Sequence, residues 1–190
     1  MNPLGLFADW YNDWLMTDPR EPSAMVLSTG DRNGIISSRM VLMKELNEKG
    51  FVFYTNYKSR KGRQLVSNSH AALLFWWESL GRQVRIEGTV EKVSREVSEQ
   101  YFRSRPRESQ ISTWASDQSR VIPDRNYLDE RFRYFYGKYS GMEIDLPPYW
   151  GGYLLVPDRF EFWTRGNYRL HDRILFTLER NRWKMKRLAP

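Results

Sequence analysis

The stretch SSRMVLMKELNEKGFVFYTNYKSRKGRQ, residues 37–64, sets two apolar runs between cations, and its reading as strand, connection, strand decides the fold. Arg39 to Lys44 encloses Met40, Val41, Leu42 and Met43, a run too short and too apolar for a surface helix, so a mostly buried strand is expected. Glu45 to Gly50 is polar and ends in glycine, as a hairpin connection would. Phe51 to Thr55 is aromatic and β-branched, suited to a pleated, half-buried surface and expected to neighbour the first strand. Side chains alternate along a strand, so Arg39 and Lys44 should face opposite ways and serve two different anions, or one anion with a strand bulge between them, or simply meet water. Beyond the second strand, Ser59-Arg60-Lys61-Gly62-Arg63 brings cations, a hydroxyl and a glycine to its exit. An adjacent Arg-Lys pair suits a terminal phosphate, the arginine bidentate and the lysine a point charge.

The 190 residues fit one domain with a sizeable core. No stretch approaches the ~20 apolar residues of a membrane span, and the N-terminal residues lack a signal peptide's pattern, so a cytoplasmic protein is expected. Without cysteine, disulfides, thiolate metal sites and cysteine nucleophiles are excluded, and with only His70 and His171 no histidine-rich metal site is expected. A formal charge of +7 calls for an anionic partner: nucleic acid, a membrane surface or phosphorylated small molecules.

Asn2-Pro3 starts an amphipathic helix carrying Leu4, Phe7, Trp10, Tyr11, Trp14 and Leu15. Ala24 to Ser28 reads as a strand, Gln64 to Asn68 as a short helix, Ala71 to Trp77 as a buried strand. Arg82 to Val93 reads as a two-faced strand alternating Val84, Ile86 and Gly88 with Gln83, Arg85 and Glu87. Ser94 caps a helix that Pro106 must end, with Tyr101 and Arg105 four apart on one face. Around it, SRPRESQ fits an anion site and a solvated face equally. Asp124 caps a further helix. Gly151 to Val156, Arg159 to Trp163, Arg173 to Leu178 and Trp183 to Leu188 read as four strands, and the turn-rich segment from Trp163 to Arg173, with Arg169 and His171 in phase, fits a charged hairpin as well as a site. Eight or so short strands with three peripheral helices predict a mainly β antiparallel barrel. No GxSxG elbow, GxxxxGK[ST] loop or GxGxxG turn is present.

Taken together, RMVLMK (39–44), YTNYKSRKGRQ (54–64), RQVRIEG (82–88), YFRSRPRESQIS (101–112), QS (118–119), FW (162–163), RLHDR (169–173) and the terminal WKMKRLAP resemble the pyridoxine (pyridoxamine) 5′-phosphate oxidase family over nearly the whole chain. The resemblance implies an FMN-binding split β-barrel spanning residues 1–190, with a C-terminal dimerisation segment from about residue 147, and a homodimer with FMN at its interface. Arg39, Met40, Val41, Leu42, Lys44, Tyr54, Thr55, Arg60, Lys61, Gln83, Gln118, Ser119, Trp163 and Arg173 are implied for the flavin, with Arg60 and Lys61 on its phosphate. Lys44, Tyr101, Arg105 and Ser109 are implied for the substrate phosphate, and Arg169, Leu170 and His171 for the pyridine ring, Arg169 and His171 as the catalytic pair. The implied reaction oxidises pyridoxamine or pyridoxine 5′-phosphate to pyridoxal 5′-phosphate, passing a hydride from C4′ to flavin N5 and reducing O2 to H2O2, with no metal, nucleic acid or membrane partner. A sister flavoenzyme acting on a phenazine precursor, and a nucleic-acid binder using the same cations, are the competing readings.

Overall fold

The computed structural model describes residues 2–190. Nine strands form one antiparallel sheet: β1 (Ala24–Gly30), β2 (Ile36–Leu42), β3 (Glu45–Asn47), β4 (Gly50–Asn56), β5 (His70–Trp77), β6 (Arg82–Lys92), β7 (Trp150–Thr164), β8 (Asp172–Glu179) and β9 (Arg182–Arg187). The main order is β2-β1-β5-β6-β7-β4-β3, with β8 added to β7 and β9 to β8. Five α-helices surround it: α1 (Pro3–Leu15), α2 (Arg60–Ser67), α3 (Arg95–Ser104), α4 (Arg107–Ala115) and α5 (Asn126–Lys138). None among the described residues is long and apolar enough to cross a membrane.

The sheet curls into a half-barrel because aromatic residues fill its concave side. Phe7 of α1 lies 4.9 Å from both Phe51 and Phe75, edge-on to each, and the cluster continues through Trp77, Phe160, Phe162 and Phe176. The Asn2 carboxamide oxygen accepts the Leu4 N–H and sets the start of α1, as its sequence predicts. Arg82 pins the same helix from β6, pairing with Asp13 at 2.6 Å and lying over the Trp10 ring.

Several expectations need correction. The runs around Arg39 and Phe51 are not sheet neighbours: β1, β5, β6 and β7 separate β2 from β4, and the supposed hairpin connection is itself a strand, β3, paired with β4. The Lys44 N–H, one residue before β3, donates to the Val52 carbonyl at 2.8 Å and extends the β3–β4 hairpin. Nor is β2 mostly buried. It pairs only with β1, and Met40 is 61% exposed beside half-buried Val41 and Leu42. The helix expected over 64–68 begins at Arg60, so the basic loop is its first turn. Finally, α4 follows Pro106 directly, a helix hidden by its serine- and threonine-rich sequence.

The two expected strands at 151–156 and 159–163 are one bent strand. β7 pairs with β6 along most of its length, with β4 through Trp150–Leu155 and with β8 through Arg159–Thr164. At the bend, Asp158 has no partner while Glu87 and Gly88 face Arg159 and Pro157. A Cβ at Gly88 would come within 2.1 Å of the Val156 carbonyl oxygen, which explains the glycine there. The expected strands at 82–93 and the two C-terminal ones stand as β6, β8 and β9, with Val84, Ile86 and Gly88 buried.

Candidate functional site

A cavity of about 550 Å³ opens where β2 returns towards β4, roofed by the end of α3 and by α4. Met40, Val41, Leu42 and Lys44 form one wall, Tyr54, Thr55 and Lys61 the floor, and Tyr101, Arg105, Ser109 and Gln118 the other wall. No aspartate or glutamate lines it.

Local structure explains the charge at its floor. Ser59, fully buried, caps α2 by accepting the Gly62 N–H at 3.2 Å, which leaves the first amides of the helix, those of Arg60 and Lys61, without helical acceptors. Helix α2 sits close because Gly62 lacks a side chain; a Cβ there would lie 2.2 Å from the Tyr57 carbonyl oxygen. Lys61 is 8% exposed, and its ammonium meets only neutral acceptors, Thr55 Oγ1 at 3.3 Å and Gln118 Oε1 at 3.4 Å. Burial, with the nearby Arg39 guanidinium adding to it, lowers its pKa to about 8.

Arg39 does not line the cavity. Its guanidinium donates to the Leu27 carbonyl at 3.0 Å and Thr29 Oγ1 at 2.7 Å, and to the Ser37 hydroxyl, while Gln64 Oε1 collects hydrogen bonds from Thr29 and Ser37. Burial first, and Arg60 second, lower the Arg39 pKa. Arg39, Arg60 and Lys61 therefore repel one another around a helix N-terminus, an arrangement that a phosphate stabilises. Arg60 itself is exposed, as is Ser119, which follows Gln118 in left-handed conformation with φ +70°.

A second cationic group lies within the same cavity. Lys44, Tyr101, Arg105 and Ser109 line it together although Arg105 is no longer on the α3 face: it is the C-cap, with extended backbone. Burial lowers the Arg105 pKa, and its guanidinium lies 4.7 Å from the Trp150 ring centre. Among the described residues, Arg39, Lys44, Arg60, Lys61 and Arg105 take part in no ion pair.

The remaining expected residues gather elsewhere. Gln83, Trp163 and Arg173 sit side by side across β6, β7 and β8 in direct register. His171 packs on Trp163 with ring centres 4.5 Å apart, and its Nδ1 accepts the Gly166 N–H. Arg169 and Leu170 are exposed, the arginine at φ +65°. Arg173 already pairs with Glu161 at 2.8 Å. None of these six lines the cavity. Trp150, which does, and Trp163 stand at opposite ends of β7, thirteen steps of about 3.3 Å apart along the strand.

Sequence reading missed Asn56, Ser112, Thr113, Ser116 and Trp150 on the cavity wall. The spacing Ser109, Ser112, Thr113, Ser116 was the available signal, since it puts hydroxyls on one face of a helix.

The comparisons agree with this architecture. A sequence model described as pyridoxamine 5′-phosphate oxidase matches residues 15–139, and one described as the pyridoxine 5′-phosphate oxidase C-terminal dimerisation region matches residues 150–190. The pyridoxine/pyridoxamine 5′-phosphate oxidases of Gloeothece citriformis and Leptospira interrogans are 49% and 48% identical, each over 100% of this chain and 89% of the relative. Among solved structures, PhzG from Burkholderia lata in complex with tetrahydrophenazine-1-carboxylic acid superposes with a TM-score of 0.94 at 30% identity, covering 100% of this chain and 93% of that one. A pyridoxamine 5′-phosphate oxidase-related, FMN-binding protein from Nostoc punctiforme gives 0.77 at 14% identity, covering 100% and 99%, a likeness of fold. By its sequence over its full length, the chain belongs to the pyridoxamine 5′-phosphate oxidase family of oxidoreductases.

Proposed function

We propose that this chain is an FMN-dependent oxidase that converts pyridoxamine 5′-phosphate and pyridoxine 5′-phosphate to pyridoxal 5′-phosphate, working as a homodimer. The observation that carries the reading is Lys61: a buried ammonium at a helix N-terminus, beside two arginines, in a cavity without a carboxylate. Buried cations are ordinarily paired. This one fits a phosphate supplied by a ligand.

Arg60, Lys61 and the first amides of α2 would hold the FMN phosphate, with Arg39 held behind them as a fixed positive charge. Met40, Val41 and Leu42 offer an apolar edge and backbone groups to a flat ring, while Tyr54, Thr55 and Gln118 bound the floor. Bound FMN supplies the acceptor for the hydride leaving C4′, with O2 taking the electrons on to H2O2. The protein's part is orientation and charge: Lys44, Tyr101, Arg105 and Ser109 would grip the substrate phosphate, a handle remote from C4′ whose binding energy fixes the ring. Good orientation of this kind is worth up to ~7–11 kcal/mol.

Gln83, Trp163, Ser119, Arg169, Leu170, His171 and Arg173 complete the expected set, and the far-end group among them would reach the cavity from a second copy. Their position at the other end of β7, and the match of residues 150–190 to a dimerisation region, support that reading. Arg169 would lie against the pyridine ring and orient it, with His171 beside it.

The likeness to PhzG favours a second reading, in which the ring substrate is a phenazine precursor. Higher identity to the B6 oxidases and the cationic group at Lys44 and Arg105 favour the first. The test is to purify the protein, record its visible spectrum and assay both B6 substrates and a reduced phenazine carboxylate under air. A flavin spectrum with H2O2 produced from the phosphorylated vitamers is expected; a colourless protein that FMN cannot reconstitute, or turnover of the phenazine alone, contradicts it.

A further inference from the structure

We infer that Thr113, backed by the Trp150 ring, is a positioning residue that aims Arg105 and Ser109 at the substrate phosphate; this rests on the substrate reading above. Thr113 is 8% exposed and its hydroxyl is used twice. It accepts a hydrogen bond from Arg105 Nη1 at 2.8 Å and donates one to the Ser109 carbonyl oxygen at 2.9 Å. A single hydroxyl thus ties the guanidinium to the backbone of the turn that carries Ser109.

The arrangement follows from spacing. Arg105, Ser109 and Thr113 stand at intervals of four, so once α4 begins at Arg107 the last two share a face. Arg105 lies just outside the helix, at the C-cap of α3, and its guanidinium reaches a hydroxyl on that face, that of Thr113. Thr113 takes one donor of the guanidinium and leaves the rest of the fork free. On its flat side Arg105 rests on Trp150, itself held in a stack with Tyr54 at 5.4 Å and Tyr101, which lies 3.9 Å from Tyr54. Trp150 is fixed in turn from α3: Arg95 donates to the Leu146 and Pro147 carbonyls, at 2.6 and 3.0 Å, just before β7. An arginine constrained by a ring face and one hydrogen bond loses less side-chain freedom when it takes a phosphate in two-point contact. Neither Thr113 nor Trp150 needs to touch the substrate for this.

The test compares Thr113→Val, Thr113→Ser and the unaltered protein as FMN-loaded enzymes. Measured are KM and kcat for pyridoxine 5′-phosphate, Kd for pyridoxal 5′-phosphate and for pyridoxal, and the FMN Kd. Thr113→Val is expected to raise KM and the pyridoxal 5′-phosphate Kd by about 10-fold, the scale of one hydrogen bond to a charged group. It should leave the pyridoxal Kd and the FMN Kd within about 2-fold of the unaltered protein, while Thr113→Ser restores the phosphate-dependent values. Equal weakening for pyridoxal and its phosphate, or a valine variant with unchanged KM, overturns the inference. An unaltered protein that binds FMN yet neither turns over nor binds the phosphorylated vitamers overturns instead the substrate reading beneath it.

Discussion

Two sets of cations, one at each end of β7, are treated in opposite ways. Around Arg159–Thr164, Arg85, Arg159 and Arg173 each meet a carboxylate, from Glu87 or Glu161, and Arg187 meets Asp172. Around the cavity at the other end, Lys44, Arg39, Arg60, Lys61 and Arg105 meet none among the described residues. The first group holds strands together: buried Glu161 is shared by Arg85 and Arg173, while an exposed pair such as Arg187–Asp172 contributes ~0–1 kcal/mol. Charge left uncompensated in a half-buried cavity costs stability unless a ligand supplies the counter-charge. The contrast separates cations whose charge the fold itself balances, Arg173 among them, from cations whose charge is left for a ligand phosphate to balance.

Removing Lys61 should break that contrast most visibly. Lys61→Met is expected to weaken FMN binding by about 10- to 100-fold, the scale of losing one charge-assisted hydrogen bond. When both lack FMN, the same variant should be more stable than the unaltered protein by about 1–4 kcal/mol, and so melt at higher temperature, since a buried ion without a counter-charge has been replaced by an apolar chain. Flavin fluorescence titration and thermal melts of the ligand-free proteins check both signs. A fold cation would lose stability on substitution.

Arg105→Ala, in the second group, should raise KM for pyridoxine 5′-phosphate by about 10- to 100-fold with FMN retained. Loss of flavin with unchanged KM in steady-state kinetics would assign it to the other phosphate.

A smaller effect comes from pH. Lys61 titrates near pH 8 in the folded, ligand-free protein and near 10.5 when unfolded. Below pH 8 it is charged in both states, and its burial cost is felt in full. Between those values the unfolded chain binds the extra proton, so the stability of the ligand-free protein gains from this group as pH rises. FMN binding runs the other way, because the phosphate favours the charged ammonium: affinity should fall as pH climbs past about 8, and Lys61→Arg should flatten that fall. Melts and FMN titrations from pH 7 to 10 measure the two slopes.

Least in size is a change at the paired end. Arg180 and Asn181 turn the β8–β9 hairpin with φ of 48° and 61°, and Arg180→Asn should stabilise it by up to about 1 kcal/mol. The thermal midpoint should rise and FMN affinity stay constant; a shift in affinity would couple the two ends.

How far the sequence reveals this depends on whether a feature is local. The Asn2 and Ser94 caps, the alternation of Val84, Ile86 and Gly88, and the Arg60-Lys61 pair are legible because neighbours in sequence make them. The separation of β2 from β4 is not legible: β5, β6 and β7, which lie between them in the sheet, come later in the chain, and the local hairpin is β3 with β4. Helix α4 was hidden because serine and threonine compete for backbone partners, as Thr113 does with the Ser109 carbonyl. The resemblance named the residues at both ends of β7, but their distance apart within one chain emerges only from the register of that strand.

Mixing two damaged chains tests the central claim most directly. Lys61→Met removes the phosphate cation of its own cavity, and Arg169→Ala removes a group proposed to reach the partner's cavity. If one site is built from two copies, co-refolded heterodimers contain one cavity with both residues intact, and oxidase activity should return well above either parent. Activity that stays at the sum of the two parents, with heterodimers present, would contradict it.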